Sequence, residues 1–229
     1  MTKLCLKDVA IYRAKHCVLN TLNAQVSAGE IIALIGANGA GKSTLLHGIV
    51  GLIEISGAIF FDGEDLKGMN RRKKASLLTL LLQSAMPHPY CLAESRIAQG
   101  LVPLSGFRAF LDSETSFLIE QCARELNIAH LLTRPLSKMS GGELRLVNIA
   151  KCLVNHHTKL ILLDEPSVFL DFAQKEILAK NLLKRATAGA LILFSSHDRS
   201  FIESTASRVL ALSNGNAHLM SVKEFFKSG

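Results

Sequence analysis

Four continuous apolar runs of strand length frame this chain: Ile31 to Ile35, Leu77 to Leu82, Leu160 to Leu163 within the stretch KLILLDEP, and Leu191 to Phe194. Uninterrupted runs of this size are the mark of strands covered on both faces. Helical spacing separates them. Leu45 to Val50 follows the first run, Leu146, Val147, Ile149, Ala150 and Leu153 share a face after Ser140, and Phe172 to Ala186 precedes the last run. This alternation predicts an α/β core.

The flanks read differently. Leu4 to Ile11 and Val18 to Val26 are β-rich, and Gly57 to Phe61 ends at the turn Asp62-Gly63, which together predict an antiparallel flap beside the main sheet. After Gln83 the composition shifts. Met86-Pro87-His88-Pro89 reads as a loop, and Leu92 to Leu132 carries helix-like spacing such as Phe117, Ile119, Cys122 and Leu126, so a helical lobe is expected as an insertion. The tail from Arg208 to Met220 reads as a hairpin about Asn214-Gly215, and Ser221 with Glu224 as the capping box of a last short helix. No internal repeat or low-complexity linker is present.

Composition narrows the class. With 229 residues, 48% of them hydrophobic, the chain can fill one core without staples. Five cysteines are widely spaced and form no CxxC, which argues against a disulfide framework or zinc site and points to a reducing cytoplasm. No signal-peptide core and no apolar run of membrane-spanning length occurs, so membrane association is expected to come through a partner. The net charge of +7 is weak evidence for nucleic acid, and its one dense run, Arg71 to Lys74, reads as a solvated first helical turn.

The chemistry sits where the runs end. Gly36 to Thr44, GANGAGKST, lies between the first strand and its helix, as a phosphate loop does. Its glycines bring backbone N–H groups against an anion, Lys42 can span β- and γ-phosphates, and the Ser43 hydroxyl can ligate Mg²⁺. Asp164 and Glu165 close the third run, where two adjacent acids repel unless a cation or a positioned water uses them. His197 closes the fourth. Strand ends of one polarity on one sheet edge are where α/β proteins place ligands. Ser140-Gly141-Gly142-Glu143 opens a helix with a capping box that by itself accounts for Ser140 and Glu143. His156-His157 has no third metal ligand nearby in sequence.

Taken in order, these motifs resemble the nucleotide-binding subunit of ATP-binding-cassette (ABC) transporters over essentially the whole chain. Walker A is Gly36 to Thr44, the glutamine loop is at Gln83, the signature is Met139 to Glu143, Walker B is Leu160 to Asp164 with Glu165, and the switch histidine is His197. The resemblance implies a P-loop NTPase fold with a mostly parallel core sheet, an antiparallel β-subdomain and an inserted helical subdomain. Residues 1–83 and 156–229 would form the core and β-subdomain, and about 84–155 the helical subdomain and signature helix. ATP and Mg²⁺ are the implied cofactors. Gly36, Asn38, Gly39, Ala40, Gly41, Lys42, Ser43 and Thr44 would bind ATP, Tyr12 would stack on adenine, and Ser43, Gln83 and Asp164 would surround the metal. Glu165, His197 and Lys42 would carry catalysis. Ser140, Gly141, Gly142 and Asp171 would serve the nucleotide of a second subunit in an ATP-bound homodimer.

Within the family, the text around Gln83, the Cys91 to Phe107 segment and Leu131 to Leu136 look most like importer ATPases for siderophore-iron, haem and cobalamin. Such a subunit would sit peripherally on the cytoplasmic face of the inner membrane. It would dock a polytopic permease near Ser84 to Pro103 and work with a periplasmic binding protein. Three departures stand out: Arg145-Leu146 replaces the usual Gln-Arg after the signature, Val168-Phe169-Leu170-Asp171 replaces a D-loop that commonly begins with a hydroxyl, and the segment after Tyr12 is one residue longer than usual. Other readings are an exporter ATPase, a soluble cassette acting on ribosomes or nucleic acid, and a module in which ATP only clamps a dimer. A single cassette without a coiled-coil insertion argues against nucleic acid as a partner.

Overall fold

The computed structural model describes residues 3–13, 16–83, 90–106, 113–213 and 215–227. The Met86–Pro89 loop, the first six residues of the expected docking segment, Phe107 and Asn214 lie outside them.

Two sheets form. The first pairs β1 (Lys3–Arg13) with β2 (His16–Ser27) and with β4 (Ser56–Phe61), and β4 with the two-residue β5 (Glu64–Asp65), all antiparallel. The expected flap is therefore present, with strands longer than the sequence pattern marked. Asp62 and Gly63, at φ 53° and 83°, make the two-residue turn after β4.

The second sheet adds β3 (Ile31–Ile35), β6 (Leu78–Leu81), β7 (Leu160–Leu163), β8 (Leu191–Ser195), β9 (Arg208–Ser213) and β10 (Asn216–Ser221) in the order β10-β9-β3-β8-β7-β6. Every pairing from β9 to β6 is parallel; only β10 is antiparallel, on β9. The period of two along a strand sorts the core residues between two layers. Ala33, Ile161, Leu163, Ile192 and Phe194 face one cluster, together with the helices described below. Ile32, Leu34, Leu160, Leu162, Leu191 and Leu193 face the other, which contains α1 (Lys42–Val50) and the inner face of the antiparallel sheet.

Helix ends follow local chemistry. α1 stops at Gly51, in the left-handed conformation at φ 81°. α2 (Arg71–Leu77) holds the basic run in its first turns, capped by Asn70, whose side chain accepts the Arg72 N–H at 2.8 Å. The composition shift after Gln83 gives α3 (Ala93–Ala98), α4 (Val102–Ser105) and α5 (Ser113–Glu125), with α3 and α5 packed on α6 (Gly141–Leu153). α7 (Phe172–Thr187), α8 (Arg199–Thr205) and α9 (Val222–Lys227) complete the chain. All five cysteines are free, and among the described residues no helix is long and apolar enough to cross a membrane.

Candidate nucleotide site

Four adjacent parallel strands, β3, β8, β7 and β6, release their carboxyl ends on one edge of the sheet. The chain continues there as Gly36 to Gly41, Ser196-His197, Asp164-Glu165 and Leu82-Gln83. A cleft of about 480 Å³ opens at this edge, lined by Val18, Asn38, Gly39, Gly41, Lys42, Ser43, Thr44, Gln83, Glu165 and His197. That is the size range of small-ligand sites.

The loop is shaped by Gly41, which takes φ 97° and would put a Cβ 2.9 Å from Val18 Cγ1, so neither the conformation nor the space admits a side chain. The first turn of α1 has neither a side-chain cap nor an acidic residue, leaving its N–H groups to an anion. Lys42 is buried, and its Nζ donates to the carbonyls of Gly36 at 2.7 Å and Ala37 at 3.1 Å. Burial pulls its pKa down, against the pull of Glu165 and Asp164. Gly36 holds the Lys42 ammonium through its carbonyl and Ala40 packs against the core, and neither lines the cleft.

The carboxylates differ. Asp164 is buried, and its Oδ1 accepts from the Ser43 hydroxyl at 3.0 Å and the Ser195 hydroxyl at 2.6 Å. Ser195 Oγ also accepts the Glu165 N–H at 2.8 Å. Glu165 sits at φ 50°, a strained backbone for a residue with a Cβ, of the kind found at functional sites. Burial pushes its carboxyl above the ordinary glutamate value, with His197 and Lys42 acting in the opposite direction. His197 Nε2 lies 3.5 Å from Glu165 Oε1. The next residue anchors the histidine: Asp198 caps α8 through the Phe201 N–H and pairs with Lys175 Nζ of α7 at 2.6 Å. Burial alone would raise the Asp198 carboxyl, but Lys175, Phe201 and Ser200 outweigh it and hold the pKa at about 2.

Ser140, Gly141, Gly142 and Asp171 do not line this cleft. Ser140 is exposed and makes a full capping box with Glu143, and Asp171 makes another with Gln174 at the start of α7. The two corners touch. A Cβ on Gly142 would lie 2.8 Å from the Phe169 carbonyl, and one on Gly141 3.6 Å from the Phe169 ring. Phe169 and Phe172 stay 73% and 74% exposed beside them. Tyr12, on β1 opposite Cys17, is exposed and does not line the cleft; Val18 of the same hairpin does. His156 Nδ1 lies 2.9 Å from Arg185 Nη1, and among the described residues no three metal-ligating side chains cluster.

Val18 and Ser195 were not singled out by the sequence. An aliphatic in a β-rich segment carries no site signal, and the first serine of Ser195-Ser196-His197 reads as a strand end. For Mg²⁺ the adjacent Ser43 hydroxyl and Asp164 carboxylate, with Gln83 on the same cleft, are the hard oxygen donors that this ion takes alongside water and phosphate. The residues fit.

Comparison with known proteins agrees with this geometry. The profile of the ABC transporter family matches residues 19–168. The vitamin B12 import ATP-binding protein of Vibrio cholerae is 33% identical over 201 residues, covering 85% of this chain and 78% of the relative. The hemin import ATP-binding protein of Streptomyces coelicolor is also 33% identical over 201 residues, covering 86% and 70%. Among solved structures, a nucleotide-free ATP-binding cassette from an ABC transporter superposes with a TM-score of 0.85 at 20% identity, covering 99% and 94%. An inward-facing putative metal-chelate type ABC transporter gives 0.78 at 23% identity, covering 98% and 85%. At these identities the structural likeness concerns the fold.

Proposed function

This chain belongs to the ABC transporter family and is an ATP-hydrolysing cassette, and from that premise we propose that it energises import of a metal chelate of the siderophore-iron, haem or cobalamin class. The observation that carries the chemistry is the single cleft shared by Lys42, Ser43, Gln83, Glu165 and His197. The import direction is supported by relatives named for vitamin B12 and hemin import. These names do not favour a ribosome-directed or exporting cassette.

Residues 1–83 and 156–229 form the catalytic core with its β-subdomain, and about 84–155 the helical subdomain with the signature helix. The loop N–H groups and the start of α1 bind the β- and γ-phosphates, with Lys42 turning from its loop carbonyls toward them. Ser43, Asp164 and Gln83 would hold Mg²⁺, whose charge would neutralise the phosphate oxygens. Glu165 takes the proton of the attacking water, and its raised pKa suits a general base. His197 holds the γ-phosphate, kept in place by the buried Ser196 before it and by Asp198 after it. Ser140, Gly141, Gly142 and Asp171 act on the nucleotide of a second copy, so hydrolysis depends on dimerisation. Tyr12 is the candidate adenine platform, beside Val18.

The cassette sits peripherally on the inner face of the inner membrane. There it docks a polytopic permease through the helical subdomain near Ser84 to Pro103, with a periplasmic binding protein completing the importer. The test is co-purification from detergent-solubilised membranes followed by reconstitution. A permease should co-purify, and its addition in proteoliposomes should raise ATP turnover and drive uptake of labelled cobalamin, haem or a ferric siderophore. Co-sedimentation with ribosomes and no membrane partner would overturn the importer reading.

A further inference from the structure

β6 and β7 are parallel neighbours whose last ladder bond runs from the Asp164 N–H to the Leu81 carbonyl at 3.0 Å. Past that point the strands end and their carbonyls lose ladder partners. One side chain continues the connection. The Arg145 guanidinium, buried under α6, donates through Nη1 to the carbonyls of Leu82 at 3.0 Å and Gln83 at 3.4 Å. Through Nη2 it donates to the carbonyls of Asp164 and of Glu165, the latter at 2.7 Å. Its Nε has no partner, and among the described residues the planar fork donates to these four carbonyls.

Those carbonyls belong to the two backbone segments that carry Gln83 and the carboxylate pair. Arg145 itself lies on α6, five residues after Ser140, or about 7.5 Å along the axis at ~1.5 Å per residue. Resting on the ATPase reading, we propose that Arg145 is a positioning residue. Its fork locks the start of the signature helix to the backbone of Gln83 and of Asp164-Glu165, so that a push on the Ser140 corner moves the metal-side amide and the hydrolytic carboxylate as one body. Arg145 touches no substrate. It acts through four carbonyls of the backbone.

Arg185 supplies the control. It is buried to the same degree, has an unpartnered Nε, and donates to the carbonyls of Asn155 and Thr158, far from the cleft residues. Both Arg→Met changes strand buried carbonyls, so both should lower the melting temperature. Only Arg145→Met should lower kcat at saturating MgATP, by about 10- to 100-fold as expected for misplacement of catalytic groups by an ångström or less, with KM for ATP within about twofold of wild type. Hydrogen exchange without nucleotide should show the amides of residues 82–83 and 164–165 losing protection together in Arg145→Met, while α1 is unchanged. Where Arg145→Met fails to fold, Arg145→Lys keeps the charge but not the fork and should show the same pattern in weaker form. An equal kcat loss in Arg185→Met, a raised KM at unchanged kcat, wild-type kcat in Arg145→Lys, or undisturbed exchange in both segments would each overturn the proposal. A wild-type chain without ATP turnover would sink the enzyme reading instead, and the exchange comparison would still decide whether Arg145 couples the two segments.

Discussion

Glu165→Gln separates the base from the fold around it. Gln has the same length, the left-handed backbone at φ 50° is unchanged, and the N–H on Ser195 stays satisfied, so the loop keeps its shape. The lost function is proton acceptance. A positioned general base is worth about 10²- to 10⁴-fold, or about 3–5 kcal/mol at ~1.4 kcal/mol per tenfold. Phosphate release at saturating MgATP should fall by that factor, while affinity for a fluorescent nucleotide holds. Stability should move the other way. Because burial raises the Glu165 carboxyl in the folded chain, its stabilising contribution is full below the ordinary value of 4.5 and is lost as pH rises through the folded pKa. At neutral pH the ionised group is a burden that Gln removes. The nucleotide-free variant should therefore melt above wild type near neutral pH, and the gap should close in acid. Wild-type turnover in the variant, or a lower melting temperature at neutral pH, would refute the reasoning.

Ser195→Ala should strand the buried Glu165 N–H at a cost of about 1–3 kcal/mol and loosen Asp164, raising the Mg²⁺ concentration needed for half-maximal turnover; denaturant titration and a Mg²⁺ series measure the two effects. Phe194→Ala removes a fully buried ring that meets Phe201 edge to face at 5.3 Å; the expected loss is about 3–5 kcal/mol, read as a fall of about 2–4 °C per kcal/mol. Although His156 is exposed as a whole, desolvation of its ring and then Arg185 lower its pKa. The unfolded chain therefore binds the proton first, and stability should decline as pH drops through 6.5. His156→Gln should remove that part of the decline in urea midpoints taken on either side, and an unchanged slope would refute the pairing with Arg185.

Much of this was legible because burial on two faces leaves an unambiguous trace. The runs at Ile31, Leu160 and Leu191 became β3, β7 and β8 almost to the residue. The run from Leu77 was trimmed to Leu78–Leu81 because Leu77 ends α2 and the chain extends only at Leu78. Capping boxes at Ser140 and Ser221 were readable because they are local. Strand order was not, since β3 lies between β9 and β8 through crossovers that no local pattern encodes. Arg145 was visible only as a departure from a family pattern. Its acceptors lie 19 to 63 residues away, and an arginine in an amphipathic helix ordinarily reads as solvent-facing.

The cleft and the signature corner pose one physical question together. α6 begins at the exposed Gly141 and has no side-chain cap beyond its own capping box, and the Phe169 carbonyl packs so closely on Gly142 that a side chain there would force the two corners apart. The capping box takes up the Ser140 and Glu143 N–H groups, and the Gly141 and Gly142 N–H groups of the first turn remain, a helix start that favours a phosphate. The cleft of the same chain is lined by other residues, and under the proposed function the phosphate that meets this corner would be that of a second copy. The exposed rings of Phe169 and Phe172 border the corner, and a facing surface that covered them would gain apolar burial as it delivered the anion. A second copy presenting its own cleft would meet both requirements at once. Turnover per chain should then rise with chain concentration, and a Gly142→Leu copy should lower the activity of its wild-type partner while leaving its own cleft able to bind nucleotide.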